Sequence, residues 1–116
     1  MVEEILHEIA VTGPITFLIQ GKQIPSGVLF NSKKEPNRYI MLCKYYGNNG
    51  VACYKIHTYN NSLNEVDCES FDNLVDFYGA VDVDNLLYSK LANDLVLEKA
   101  KQRISHLTSA KAIYEC

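Results

Sequence analysis

Two stretches of this chain hold residues that could do chemistry: a short run at Ser32-Lys33-Lys34, and a segment in which Cys53, Lys55 and His57 alternate. Ser32 brings a hydroxyl, Lys33 and Lys34 bring charge, and the backbone N–H groups of a loop over 32–36 could form an anion-binding concavity. The same lysines would serve equally well to keep a loop in water. On a strand, alternation places Cys53, Lys55 and His57 on one face. A Cys–His nucleophile pair would need that placement, but a half-buried cysteine beside a surface histidine fits it better. The three histidines (7, 57, 106) fall on different segments, and none has a partner at metal-ligand spacing. There is no Gly-rich phosphate loop, Gly-x-Ser-x-Gly turn or His-Glu-x-x-His pair. The expectation is a non-enzymatic protein with no catalytic residue, no metal ligand and no cofactor.

Composition narrows the function classes. At 116 residues the chain is long enough for one core, and its 47% apolar and 22% charged residues are ordinary for a folded domain. A formal charge of −3 lacks the basic footprint of general nucleic-acid binding. Basic residues nonetheless gather at Lys33, Lys34, Arg38, Lys44 and Lys55, and acids gather from Glu65 to Asp84. No apolar run approaches the ~20 residues that span a bilayer, and the acidic, amphipathic beginning does not read as a signal peptide. The cysteines at 43, 53, 68 and 116 show no paired short spacing, which fits free thiols in a reducing, cytoplasmic setting.

Position of these residues depends on the elements around them. Val2, Ile5, Leu6 and Ile9 share one face of a helix over 2–11, with early acids at the positive end of its dipole. Gly13-Pro14 ends it. Thr16 could cap a short helix over 17–23, weakened by Gly21, and Phe17-Leu18-Ile19 reads equally as a strand. Pro25-Ser26-Gly27 is a turn, 28–31 a short strand, and 32–37 a polar loop. Two strands over 38–46 and 51–59 flank Gly47-Asn48-Asn49-Gly50, a strong hairpin signal. A turn follows at 60–62. Ser70 is the expected N-cap of a helix over 71–79 ending at Gly79. From Asp94, residues Val96, Ala100, Ile104 and Leu107 keep helical spacing. Leu29, Ile40, Leu42, Tyr54, Ile56, Leu74 and Phe77 are the expected core.

The order of these signals resembles that of the Src homology 2 family. Gly13-Pro14-Ile15-Thr16 is similar to the segment that opens the family's first helix, and Gly27-Val28-Leu29-Phe30-Asn31-Ser32 to the strand entering its phosphate loop. Cys53-Tyr54-Lys55-Ile56 stands where the family writes His-Tyr-Lys/Arg-Ile. Phe71-Asp72-Asn73-Leu74-Val75-Asp76-Phe77-Tyr78 is similar to its second helix, and Leu86-Leu87-Tyr88-Ser89-Lys90-Leu91 to its closing segment. The family's phosphate-gripping arginine maps to Asn31 or Ser32 in one register and to Gln20 in another, so no register supplies it. A bidentate guanidinium is the strongest clamp a side chain offers to phosphate, and neither Ser nor Asn replaces its charge.

The resemblance implies an α+β fold, a small central antiparallel sheet flanked by two helices, over residues 12–92. Residues 1–11 and 93–116 add a helix at each end. It also implies a phosphotyrosine-peptide module with a remodelled pocket, in which Ser32, Lys33, Lys34 and Lys55 hold phosphate and Tyr54, His57 and Arg38 touch the peptide. The other reading is a degenerate relative without phosphate recognition, a protein–protein or dimerisation scaffold. The partner is then a tyrosine-phosphorylated or an unphosphorylated protein, with no nucleic acid or membrane involved. A monomer is favoured over a homodimer, since a helix at each end gives the two apolar stripes a mutual partner.

Overall fold

The alternation along Tyr39–Tyr46 dictates the architecture: Leu42 points to one side of its strand, Met41 and Cys43 to the other, and all three are fully buried. A strand buried on both faces must sit inside a sheet covered on both sides. The computed structural model describes the backbone over residues 2–115 and the side chains through residue 102. It is α+β, with a five-stranded antiparallel sheet and three helices.

Helix α1, Val2–Thr12, leads into a hairpin of β1, Thr16–Ile19, and β2, Lys22–Pro25. The main sheet follows: β3, Leu29–Ser32; β4, Tyr39–Tyr46; β5, Ala52–Tyr59; and β6, Glu65–Phe71. Helix α2, Leu74–Ala80, crosses back to β7, Leu86–Tyr88, and α3, Lys90–Glu115, ends the chain. The strand order is β6-β5-β4-β3-β7, every neighbour antiparallel. No helix among the described residues is long and apolar enough to cross a membrane.

One face of the sheet is covered by the β1–β2 hairpin and α2. Phe17, Ile19, Ile24, Phe30, Leu42, Tyr54 and Phe77 pack there. The other face is covered by α1 and the first turns of α3, through Ile5, Leu29, Met41, Cys43, Tyr59, Ala92 and Val96. Asn93 pins α3 to the sheet: its amide accepts from the Leu29 N–H (2.9 Å) and donates to the Leu29 carbonyl (2.9 Å), as a neighbouring strand would. The expected stripe of α3 is thus seated at Val96; Ile104 and Leu107 lie outside the described side chains.

Four expectations change. Of the two readings of 17–23 the strand at Phe17-Leu18-Ile19 holds and the helix does not: the segment is a hairpin, because Gln20 and Gly21 both take positive φ (51° and 74°), the combination a two-residue type I′ turn requires. The Gly13-Pro14-Ile15-Thr16 segment therefore opens a hairpin. Ser70 and Phe71 belong to β6, where Phe71 pairs with Tyr54, and the α2 cap is Asn73, whose side chain accepts from the Asp76 N–H at 2.9 Å. Leu74 then falls on the first turn and is 39% exposed. Ile40 and Ile56 are only half-buried, because the seven-residue α2 is too short to roof the sheet and leaves a cleft of about 130 Å³ beside them.

Candidate functional site

The loop after β3 is where an anion pocket was expected, and its polar groups are already engaged. Asn85, just before β7, reaches across to it. Its side-chain oxygen accepts from the Ser32 hydroxyl (3.1 Å) and the Lys34 N–H (2.8 Å), and its carbonyl accepts from the Lys33 N–H (3.0 Å). The Ser32 hydroxyl in turn accepts from the Glu35 N–H (3.0 Å). The N–H groups of 33, 34 and 35 therefore all point into the protein's own acceptors, and Pro36 has none to give. The Lys34 ammonium sits 2.7 Å from Asp82, whose hydrogen bond and charge raise the lysine's pKa and hold the carboxyl below its usual range. Lys33 is exposed.

The expected pocket is also divided by the sheet. Ser32 alternates with Phe30, which packs on the α2 face, whereas Lys55 alternates with Tyr59, which packs on the α1 face. Lys55 instead lies over the Tyr45 ring, 4.5 Å from its centroid. The peptide-contacting trio is scattered as well. Tyr54 is 8% exposed and stacks on Phe77 within the core. Arg38 borders a surface hollow with Glu35, Asn60 and Asn61. His57, read as a surface residue, is 5% exposed on the α1 face. Cys53 does not engage it: the Cys53 thiol turns to the Tyr54 carbonyl at 4.0 Å.

His57 is the centre of a second polar group that sequence spacing did not reveal. Its Nε2 meets the Tyr45 hydroxyl at 2.6 Å, and its Nδ1 meets Glu65 Oε1 at 2.6 Å. The Tyr45 phenol is raised in pKa by burial first, then by the neighbouring Cys43 thiol and Glu8 carboxylate. Burial likewise pushes the Cys43 thiol up to about 12 and raises Tyr59. The ligand-capable atoms of Glu8, Cys43 and His57 lie within 4.8 Å of one another, as do those of His57, Glu65 and Cys68. Glu8 Oε2 is buried and, alone among the buried side-chain polar atoms of the described residues, has no hydrogen-bond partner.

The fold brings this group together from α1, β4, β5 and β6. The β4–β5 register sets Met41 opposite His57 and Cys43 opposite Lys55, so Cys43, Tyr45 and His57 share a face. A bulge after Thr58 shifts β6 and brings Glu65 beside the ring. The i, i+2 pairing of Cys43 with Tyr45 across a hairpin from His57 was the one signal in the sequence; nothing in it tied Glu8 or Glu65 to them. Comparisons with protein-family models, curated proteins and solved structures give no match.

Proposed function

We propose that this chain is a non-enzymatic protein-interaction scaffold that works without gripping phosphate. The observation that carries this reading is the closed loop after β3, in which the hydroxyl, the N–H groups and the Lys34 charge are satisfied internally. An anion arriving there would have to displace those bonds before making its own. Distant kinship with the Src homology 2 family is part of the proposal. It is supported by the order of β3, β4, β5 and α2 and by a helix on each face of the sheet, and it does not extend to the hairpin at 16–25.

The surface offers a place for a protein partner at the junction of β7 and α3. Leu87 (53%) and Leu91 (79%) are exposed there and Leu95 follows one helical turn later, while Tyr88 (57%) is exposed on the opposite face of β7 beside Phe30. Large apolar side chains clustered in water mark interaction sites more often than chance. The opposite sheet edge is guarded: β6 carries Glu65, Asp67 and Glu69, charges that discourage strand-to-strand pairing.

Two measurements test the reading. On a phosphotyrosine-peptide array the chain should show no phosphate-dependent retention; retention abolished by Lys33→Ala with Lys34→Ala would restore the phosphopeptide reading. Light scattering over a range of concentrations should then separate self-association, lost in Leu87→Glu with Leu91→Glu, from a monomer whose partner is a different protein.

A further inference from the structure

We propose that Glu8, Cys43 and His57 form a buried site for a borderline-soft divalent cation of the zinc class, bound through one carboxylate oxygen, one thiolate and His57 Nε2. Three observations converge on it. The first is the donor set. Thiolate with imidazole selects zinc-like ions over calcium or magnesium, which take oxygen ligands. Ligand atoms around tetrahedral zinc stand roughly 3.3–3.8 Å apart, given bonds of about 2.0–2.3 Å. The present ligand atoms all lie within 4.8 Å of one another, so the three side chains need only draw inward to reach that spacing.

The second observation is Glu8 Oε2. A buried carboxylate oxygen without a partner costs free energy unless something positive reaches it. A divalent cation held by one carboxylate and one thiolate is electrically neutral in sum, which is the condition a buried site must meet. The third is the second ring nitrogen of His57. Its Nδ1 is held by Glu65 at 2.6 Å, and a metal-ligating histidine characteristically gives its other N–H to a carboxylate in this way. That bond fixes the tautomer and leaves Nε2 as the donor toward the cation. The Tyr45 hydroxyl meets Nε2 from that direction, and the half-buried Tyr45 side chain would have to turn aside for the ion to take its place.

Cys68 and Glu65 form a competing set on the same histidine, but both are exposed, and using Glu65 as a ligand would remove the bond that orients the ring. The bound ion would tie α1 to the sheet from beneath, independently of any protein partner.

The test is a cobalt(II) titration of the reduced, chelator-stripped full chain, with zinc as competitor. One equivalent should bind and give a thiolate-to-cobalt charge-transfer band, which zinc then abolishes. Cys68→Ser should keep the band, Cys43→Ser should lose it, and Glu8→Gln should weaken binding. Glu65→Gln should lower affinity about 10–100-fold, as loss of an outer-shell partner does. Because Cys43→Ser sits in the core and could fail to fold, a chain carrying Cys53→Ser, Cys68→Ser and Cys116→Ser, with Cys43 its only thiol, gives the complementary result: the band must persist. No band in the unaltered chain overturns the site, as does a band that Cys68→Ser removes.

Discussion

The two faces of this sheet each hold a polar cluster, and they are finished differently. Around Asn85, the Ser32 hydroxyl and the N–H groups of residues 33, 34 and 35 all meet acceptors, and the Lys34 ammonium meets Asp82. Around His57, both ring nitrogens are held and the buried Cys43 thiol reaches only the Lys55 carbonyl at 4.0 Å, yet the Glu8 Oε2 oxygen nearby has no partner. The first cluster closes a loop; the second leaves unused ligating capacity in the interior. Basic residues on an exposed loop attract functional attention in a sequence, whereas here the unsatisfied chemistry lies under α1.

The largest effect should test whether both faces are equal partners in stability. Phe77 anchors the α2 face and Ile5 the α1 face, and both are fully buried. Phe77→Ala should cost about 3–5 kcal/mol and Ile5→Ala about 2–5 kcal/mol, by lost transfer energy plus the cavity left behind. Urea unfolding measures both. If Ile5→Ala leaves the midpoint where it was, α1 is an accessory rather than half of the core, and the interior of the second cluster is less enclosed than described. Leu42→Ala, also fully buried, belongs to the same range, while half-buried Ile56→Ala should cost clearly less.

A smaller pair of substitutions compares the polar clusters directly. Tyr45→Phe leaves His57 Nε2 without its partner inside the protein and should cost about 1–3 kcal/mol with a chelator present. Ser32→Ala removes two hydrogen bonds, but their other ends belong to an exposed backbone and to Asn85, which water can serve. Its cost should be about 1 kcal/mol. Thermal unfolding of both variants decides; a larger loss from Ser32→Ala would reverse the ranking of the two clusters.

The contrast also explains what was legible in the sequence. Strands β4 and β5 could be read because Tyr, Ile and Cys alternate across a Gly-Asn-Asn-Gly turn, and local pattern decides register in a hairpin. Helix α1 was read from its apolar spacing. Strand β1 was open to either reading, and its turn into β2 was not legible, because Gln20 must take positive φ, a conformation that its side chain does not announce. Strand β6 escaped because Glu65, Asp67 and Glu69 are poor strand formers; it pairs as an edge strand on β5 with every side chain but that of Phe71 exposed. The His57 cluster could not be read at all as a set. Its members are separated by up to fifty-seven positions (from 8 to 65), and only the sheet register with the packing of α1 makes them neighbours.

The smallest expected effect concerns the one ion pair that closes the loop cluster. Lys34 and Asp82 are both in water, so screening leaves their attraction little to contribute, and Lys34→Ala should not move the unfolding midpoint measurably in physiological salt. Its signature is in titration instead. Asp82 is held below its ordinary carboxyl range by its hydrogen bond from Lys34, so any stability it adds is present above the unfolded-state pKa and fades as pH falls through the folded one. Lys34 is raised by the same bond, so its share is present below the unfolded lysine pKa and fades as pH climbs through the folded one. Following the Asp82 carboxyl carbon by NMR, Lys34→Ala should move its titration upward toward an ordinary aspartate. High salt should do part of the same in the unaltered chain. An Asp82 titration that ignores both changes would mean the pair does not persist in solution, freeing Lys34 and reopening the loop to an anion.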